Sequence, residues 1–190
     1  GQAFFKGSPL RGLQPHQLNI SLLSQDYALY PQLTVEQNIV AALKQQGLGS
    51  GEIAERFQHV ATWFGIDDLR QRLPSQISGG QAQRVAFAKA MARQPQLLLL
   101  DEPFSQVDRS LRNQLIEVLL PACEQINAAI CWVTHDPQEA FHVGTRISIL
   151  DAGRLVQDGT AEEIYGSPSS RLVAELTSIL PINWLPLSLS

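Results

Sequence analysis

Ser78-Gly79-Gly80-Gln81 and, further along, Leu97-Leu98-Leu99-Leu100-Asp101-Glu102-Pro103 form the centre of this sequence. The first run puts small residues and bare backbone N–H groups at the start of a helix, where an anion is readily held. The second is a continuous apolar strand ending in two adjacent carboxylates. Such a strand fits a sheet buried on both faces. Two carboxylates after four leucines are costly to bury without a cation. The first run can hold phosphate, and the second can hold Mg²⁺ and a water. Together they read as machinery for cleaving a nucleoside triphosphate.

Outward from these runs, strands and helices alternate. Strands are expected at residues 2–6 and Asn19–Leu23, with Gly7-Ser8-Pro9 as a turn between them. Thr34 and Gln37 have the capping-box form for a helix from about Val35 to Gln46, and Gly47–Gly51 breaks it. An amphipathic helix follows from about Glu52 to Phe64, ended by Gly65. A short helical turn at Asp67–Arg72 leads to a Leu73-Pro74 break. Ser78 and Gln81 open a helix to about Arg93, and Asp108 caps one from Arg109 that Pro121 should kink or end. Strand Ala128–Val133, helix Pro137–His142, strands Ile147–Leu150 and Arg154–Gln157, a helix capped by Thr160, and a helix from Ser170 to Ile179 complete the order. The alternation predicts an α/β fold with a mainly parallel sheet.

The 190 residues suffice for one good core, and the apolar fraction of 44% is ordinary for a globular protein. Net charge is −4, with no Lys/Arg cluster, so nucleic acid is not expected as a partner. Cys123 and Cys131 have apolar neighbours and lack metal-ligand spacing. Both read as buried free thiols, which suit a reducing compartment. No apolar run is long enough to span a membrane.

The two central runs resemble the signature motif and Walker B strand of the ATP-binding cassette (ABC) ATPases. Three more pieces follow that family's order: Gln25 in Ser24-Gln25-Asp26-Tyr27 is similar to the Q-loop, Ser105-Gln106-Val107-Asp108 to the D-loop, and Thr134-His135-Asp136 to the H-loop. The resemblance implies a P-loop NTPase-like sheet with an inserted helical subdomain, and ATP and Mg²⁺ as cofactors. It divides the chain into residues 1–33 (partial core with the Q-loop), 34–93 (helical subdomain ending in the signature helix), 94–166 (core with Walker B, D-loop and H-loop) and 167–190 (terminal helix and tail). Asp101 would hold Mg²⁺, and Glu102 would orient and deprotonate the attacking water. His135 would sense the γ-phosphate, and Gln25 would reach both metal and water. Ser78, Gly79, Gly80 and Gln81 would bind the γ-phosphate of a nucleotide held by a second subunit, and Asp108 would cross between the two sites. As a helix N-cap Asp108 has an equally good structural role.

No G-x-x-x-x-G-K-[ST] occurs among these residues. In the family that loop precedes the Q-loop glutamine by about 40 residues, which would place it before Gly1. The sequence is therefore expected to be part of a longer protein, and by itself to neither bind ATP tightly nor hydrolyse it. Asp26–Ile39 and Gly159–Pro168 are similar to segments of bacterial importer ATPases for iron(III), polyamines, sulfate and maltose. That branch implies a homodimer on the cytoplasmic face of the membrane. It also implies a permease touching the region Gln25–Tyr30 and a substrate-binding protein beyond it. A core role for Tyr27, Leu29 and Tyr30 is the competing expectation. Two other functions compete: an ABC-type ATPase of DNA repair or translation, and a non-catalytic regulatory module. The short helical insertion and acidic balance disfavour the first. Intact Glu102, His135 and Gln25 disfavour the second.

Overall fold

The computed structural model describes residues 2, 4–5, 7–12, 18–23, 28–105 and 107–178. Gln25, Tyr27, Gln106 and the tail 179–190 lie outside the described residues. The chain divides into two compact units, Gly1–Cys131 and Trp132–Ser190.

In the first unit, β1 (Phe4–Phe5) and β2 (Ser8–Pro9) pair antiparallel, with Gly7 at φ +78° between them. The segment expected as one strand and a turn is thus a small hairpin. Gly7 supplies a left-handed turn residue, and Ser8-Pro9 returns as a strand; a proline fits there because an edge strand does not need its N–H. β3 (Ile20–Leu23) lies parallel to β4 (Leu97–Asp101), with Ile20 opposite Leu97 and Leu23 opposite Leu100. β5 (Ala129–Val133) lies on the other side of β4, giving the order β3-β4-β5.

A parallel pair needs a long crossover, and here it is helical. α1 (Val35–Lys44) opens on the Thr34/Gln37 capping box. α2 (Ser50–Phe64) begins two residues before the expected Glu52, with Gly49 as N-cap and Gly51 inside its first turn. A glycine is tolerated there because first-turn N–H groups have no helical acceptor in any case. Gly65, at φ +59°, ends α2 in the left-handed conformation. Two 3₁₀ turns, Asp67–Leu69 and Pro74–Gln76, lead into α3 (Gly79–Ala92). Ile39, Leu43, Phe57, Ile66, Leu69, Phe87 and Met91 are fully enclosed in the core. Phe87 packs between Phe64 and Phe104, with ring centroids 6.1 and 5.6 Å away.

Two burial expectations are corrected. On β4, Leu98 and Leu100 are buried while Leu97 and Leu99 are half-buried, so one face is enclosed and the other partly covered. β5 alternates between exposed and half-buried residues; Cys131 is exposed and Val133 is 53% exposed. His135 therefore follows a strand that is partly exposed. α4 (Arg109–Gln125) continues through Pro121 instead of ending there. Pro121 is exposed, and the N–H it lacks removes a single rung to residue 117. Buried Ala122 and Cys123 hold the last turn.

The second unit contains α5 (Pro137–Val143), an antiparallel hairpin of β6 (Ile147–Asp151) and β7 (Arg154–Gly159), then α6 (Ala161–Gly166) and α7 (Arg171–Thr177). Ile147, Ile164 and Val173 form its core, with Phe141, Ile149, Val156 and Ala161 packed against them. Arg146 bonds Asp158, and with Ser148 it holds that carboxyl below its ordinary range.

Candidate functional site

α3 begins with a closed capping box. The Ser78 hydroxyl accepts from the Gln81 N–H (3.3 Å), and Gln81 Oε1 accepts from the Ser78 N–H (3.0 Å). Ser78 and Gln81 thereby fix the helix start, and the N–H groups of Gly79 and Gly80 are left without an intrahelical acceptor. Unlike α1 and α2, α3 has no acidic residue in its first turn. Its positive dipole end therefore stays uncompensated by side-chain charge, which favours an anion there. The two glycines differ. A Cβ at Gly80 would stand 2.6 Å from Leu111 Cδ2, whereas one at Gly79 would meet nothing within 4 Å. Packing within the chain accounts for Gly80, but not for Gly79.

Leu111 belongs to the first turn of α4, and Arg84 one turn along α3 reaches Gln114 Oε1 at 3.3 Å. The two helices therefore start side by side and run the same way. At the start of α4, Asp108 Oδ1 accepts from the N–H groups of Ser110 (2.9 Å) and Leu111 (3.0 Å). Asp108 is thus a well-formed N-cap beside the Ser78-Gly79-Gly80 turn.

Asp101 ends β4 exposed to solvent, and Glu102 is half-buried. The pair is not enclosed, so the cost of burying two carboxylates plays no part here. Glu102 instead shows backbone strain, with φ +46°. Left-handed geometry costs a non-glycine residue on the order of 1–2 kcal/mol and is retained where surrounding structure imposes it. Behind it, the Pro103 carbonyl accepts from Gln83 Nε2 at 2.6 Å. Gln83 is fully buried on α3, and its Oε1 has no partner among the described residues. Gln83 was not singled out from the sequence. Its signal was there: a glutamine among the Val, Ala and Phe positions of α3 that face the core.

Among the described residues, no group of three His, Cys, Asp or Glu side chains is placed to hold a metal. Mg²⁺ does not require one. It is commonly held by one or two carboxylates together with phosphate oxygens and waters, and exposed Asp101 fits that chemistry.

Gln25 lies outside the described residues; the segment from Ala28 onward is well held. Ala28 sits at φ +44°, and its carbonyl accepts from Lys89 Nζ at 2.6 Å. The ammonium also stands 4.6 Å over the Tyr30 ring, and burial pulls the Lys89 pKa down. Buried Asn38 donates to the carbonyls of Tyr30, Leu33 and Thr34 and accepts the Tyr30 N–H at 2.7 Å. A cavity of about 200 Å³ opens here, lined in part by Leu22, Ala28, Tyr30, Ala42, Lys89 and Arg93. Tyr30 is 47% exposed, so the alternative of a core role does not hold for it.

His135 belongs to the second unit, where it is exposed in the loop between β5 and α5. The Thr134 hydroxyl donates to Glu139 Oε2 (2.7 Å) and accepts from the Asp136 N–H (3.1 Å). Asp136 in turn caps α5 through the Gln138 N–H at 2.9 Å.

Comparison with known proteins identifies the family. The family described as ABC transporter matches residues 1–105. The chain is 41% identical over 175 residues to the putrescine transport ATP-binding protein PotG of Escherichia coli, covering 92% of this chain and 46% of that protein. It is 39% identical over 168 residues to the spermidine/putrescine import ATP-binding protein PotA of Thermotoga maritima, covering 88% and 46%. It is 36% identical over 188 residues to the sn-glycerol-3-phosphate import ATP-binding protein UgpC of Chromohalobacter salexigens, covering 99% and 51%. The chain spans about half the length of these relatives.

Proposed function

This chain belongs to the ABC transporter family, and from that premise we propose that it is part of an ATP-hydrolysing subunit that powers solute import through a membrane permease. The observation that supports this most is the end of β4. There Asp101 and the strained Glu102 stand at the carboxyl edge of a parallel strand pair, the edge at which α/β sheets bind ligands. Residues 1–33 and 94–166 form the ATPase core in this reading, residues 34–93 the helical arm, and 167–190 the terminal helix and tail.

Glu102 orients the attacking water and takes its proton; its fixed backbone limits how far the carboxylate can wander. Asp101 and Gln25 hold Mg²⁺, which when bound neutralises phosphate charge. His135 donates to the γ-phosphate. The first turn of α3, with Ser78, Gly79, Gly80 and Gln81, receives the γ-phosphate of ATP on a second copy, so two nucleotides lie across a two-fold axis. Asp108, beside that turn, faces the same junction.

The permease docks at Gln25–Tyr30, where Tyr30 is exposed beside the cavity. Among the described residues no helix is long and apolar enough to cross a membrane, which suits a subunit placed peripherally on the cytoplasmic face. The relatives are named for polyamines, which are cations, and for glycerol phosphate, an anion. Solutes so unlike are selected by the permease and a binding protein, and not by this subunit. The test is Glu102→Gln in the full-length protein. ATP binding by calorimetry should persist while turnover falls about 100-fold or more. Turnover equal to the parent would remove Glu102 from the role of base.

A further inference from the structure

We infer that Glu139 is a positioning residue for the loop bearing His135, acting as a double acceptor that locks Thr134-His135-Asp136; its catalytic meaning rests on the reading of His135 above. Glu139 lies in the first turn of α5 and is only 5% exposed. Its two oxygens serve different donors. The Trp132 indole N–H reaches Oε1 at 2.9 Å, and the Thr134 hydroxyl reaches Oε2 at 2.7 Å. Because the hydroxyl proton goes to Glu139, the Thr134 oxygen presents lone pairs to the Asp136 N–H at 3.1 Å. The bonds therefore run one way, from the Asp136 amide to Thr134 and on to the carboxylate. Trp132 and Thr134 are anchored on one carboxylate, and His135 follows directly.

The residue type matters more than its size. An indole N–H can only donate, and the Thr134 hydroxyl donates in this arrangement. Both donors sit on half-buried residues and meet their acceptor at the nearly buried Glu139. A carboxylate offers two, while a glutamine of the same shape offers one carbonyl oxygen and an NH₂ group. A carboxylate is costly to bury without hydrogen bonds, and here each oxygen has one. Packing alone would be served equally by glutamine.

The test is NMR on the full-length protein. It follows the Trp132 indole proton and the backbone amides of His135 and Asp136. Glu139→Gln leaves one donor without an acceptor. Either the indole proton should exchange about tenfold faster, or the His135 and Asp136 amides should shift and lose protection. Thr134→Val should move those two amides and spare the indole, and Thr134→Ser, which keeps the hydroxyl, should restore the parent spectrum. The Thr134 pair gives the answer even where the Glu139 variant fails to fold. Parent-like indole exchange and amide shifts in Glu139→Gln would overturn the inference, as would unmoved amides in Thr134→Val. None of these signals requires hydrolysis. Failure of His135 to matter for turnover would fall on the functional reading and leave the clamp standing.

Discussion

Cys123 and Cys131 carry the same thiol in opposite environments. Cys123 is on the buried face of α4, its Sγ 3.7 Å from Met91 Sδ, and burial pushes the thiol up to about 12. Cys131 is exposed on β5. Sequence alone placed both in apolar surroundings. Neighbouring residue types could not tell them apart, because the packing against a strand's faces comes from distant parts of the chain. A thiol reagent near pH 8 should therefore label one cysteine in the folded protein, and Cys123 only after unfolding, as mass spectrometry would read. The pH dependence follows from the raised pKa. The stabilising effect of a protonated Cys123 is complete below the unfolded value of 9.0 and is lost as pH rises toward about 12. Denaturant midpoints should fall above pH 9, and Cys123→Ala should remove part of that fall. At the site, residue types identified Asp101, Glu102 and His135 as candidates. The strained backbone of Glu102 and the carboxylate behind the His135 loop depend on three-dimensional closure and were not legible.

Among the elements, helix starts were the most readable. The pairs Thr34/Gln37, Ser78/Gln81 and Thr160/Glu163 all form the capping boxes that their spacing predicts, and Asp108 caps α4. Capping is settled within four residues, so sequence suffices. Pro121 was read by the same local logic, and of the two outcomes expected, a kink or an end, the helix does not end there. A helix anchored by buried residues on both sides of a proline tolerates the missing rung. That rung still has a cost, since an interior proline typically forfeits about 3 kcal/mol. Pro121→Ala should accordingly raise stability by about 1–3 kcal/mol in chemical denaturation. A loss of stability would mean that α4 depends on its proline. The coverage of β4 and β5 was misjudged for the reason that separates the cysteines, since an apolar run shows what a strand can bury and not what arrives to cover it.

At the scale of the molecule, the Asp101-Glu102 pair and the α3 start lie in one unit and His135 in the other. The proposed arrangement across two copies makes a prediction that no single copy can meet. In the full-length protein, Gly79→Asp places its side chain in open space and puts a negative charge at a helix N-terminus, so folding should be unharmed. The same charge repels phosphate, so ATP-driven dimerisation by size-exclusion chromatography and turnover should both be lost. Glu102→Gln alone should also be inactive. Mixing the two variants should recover part of the hydrolysis, because the mixed dimer contains one site with an intact glutamate and an intact glycine. A mixture that stays inactive would place the α3 start on its own copy's nucleotide.

In the proposed dimer, Gln83 would provide a means of keeping time. α3 is a single helix whose tip would rest on a foreign nucleotide, while its flank is bonded to the Pro103 carbonyl next to Glu102, the proposed base of its own copy. A displacement of the tip would reach Glu102 through one buried amide, so each copy's hydrolysis would answer to the neighbour's ATP. Gln83→Met keeps the bulk and cuts that linkage. The Hill coefficient for ATP in turnover should drop toward 1, while ATP affinity of the isolated subunit stays unchanged. The two engines would then fire independently, spending two nucleotides without agreeing on a stroke.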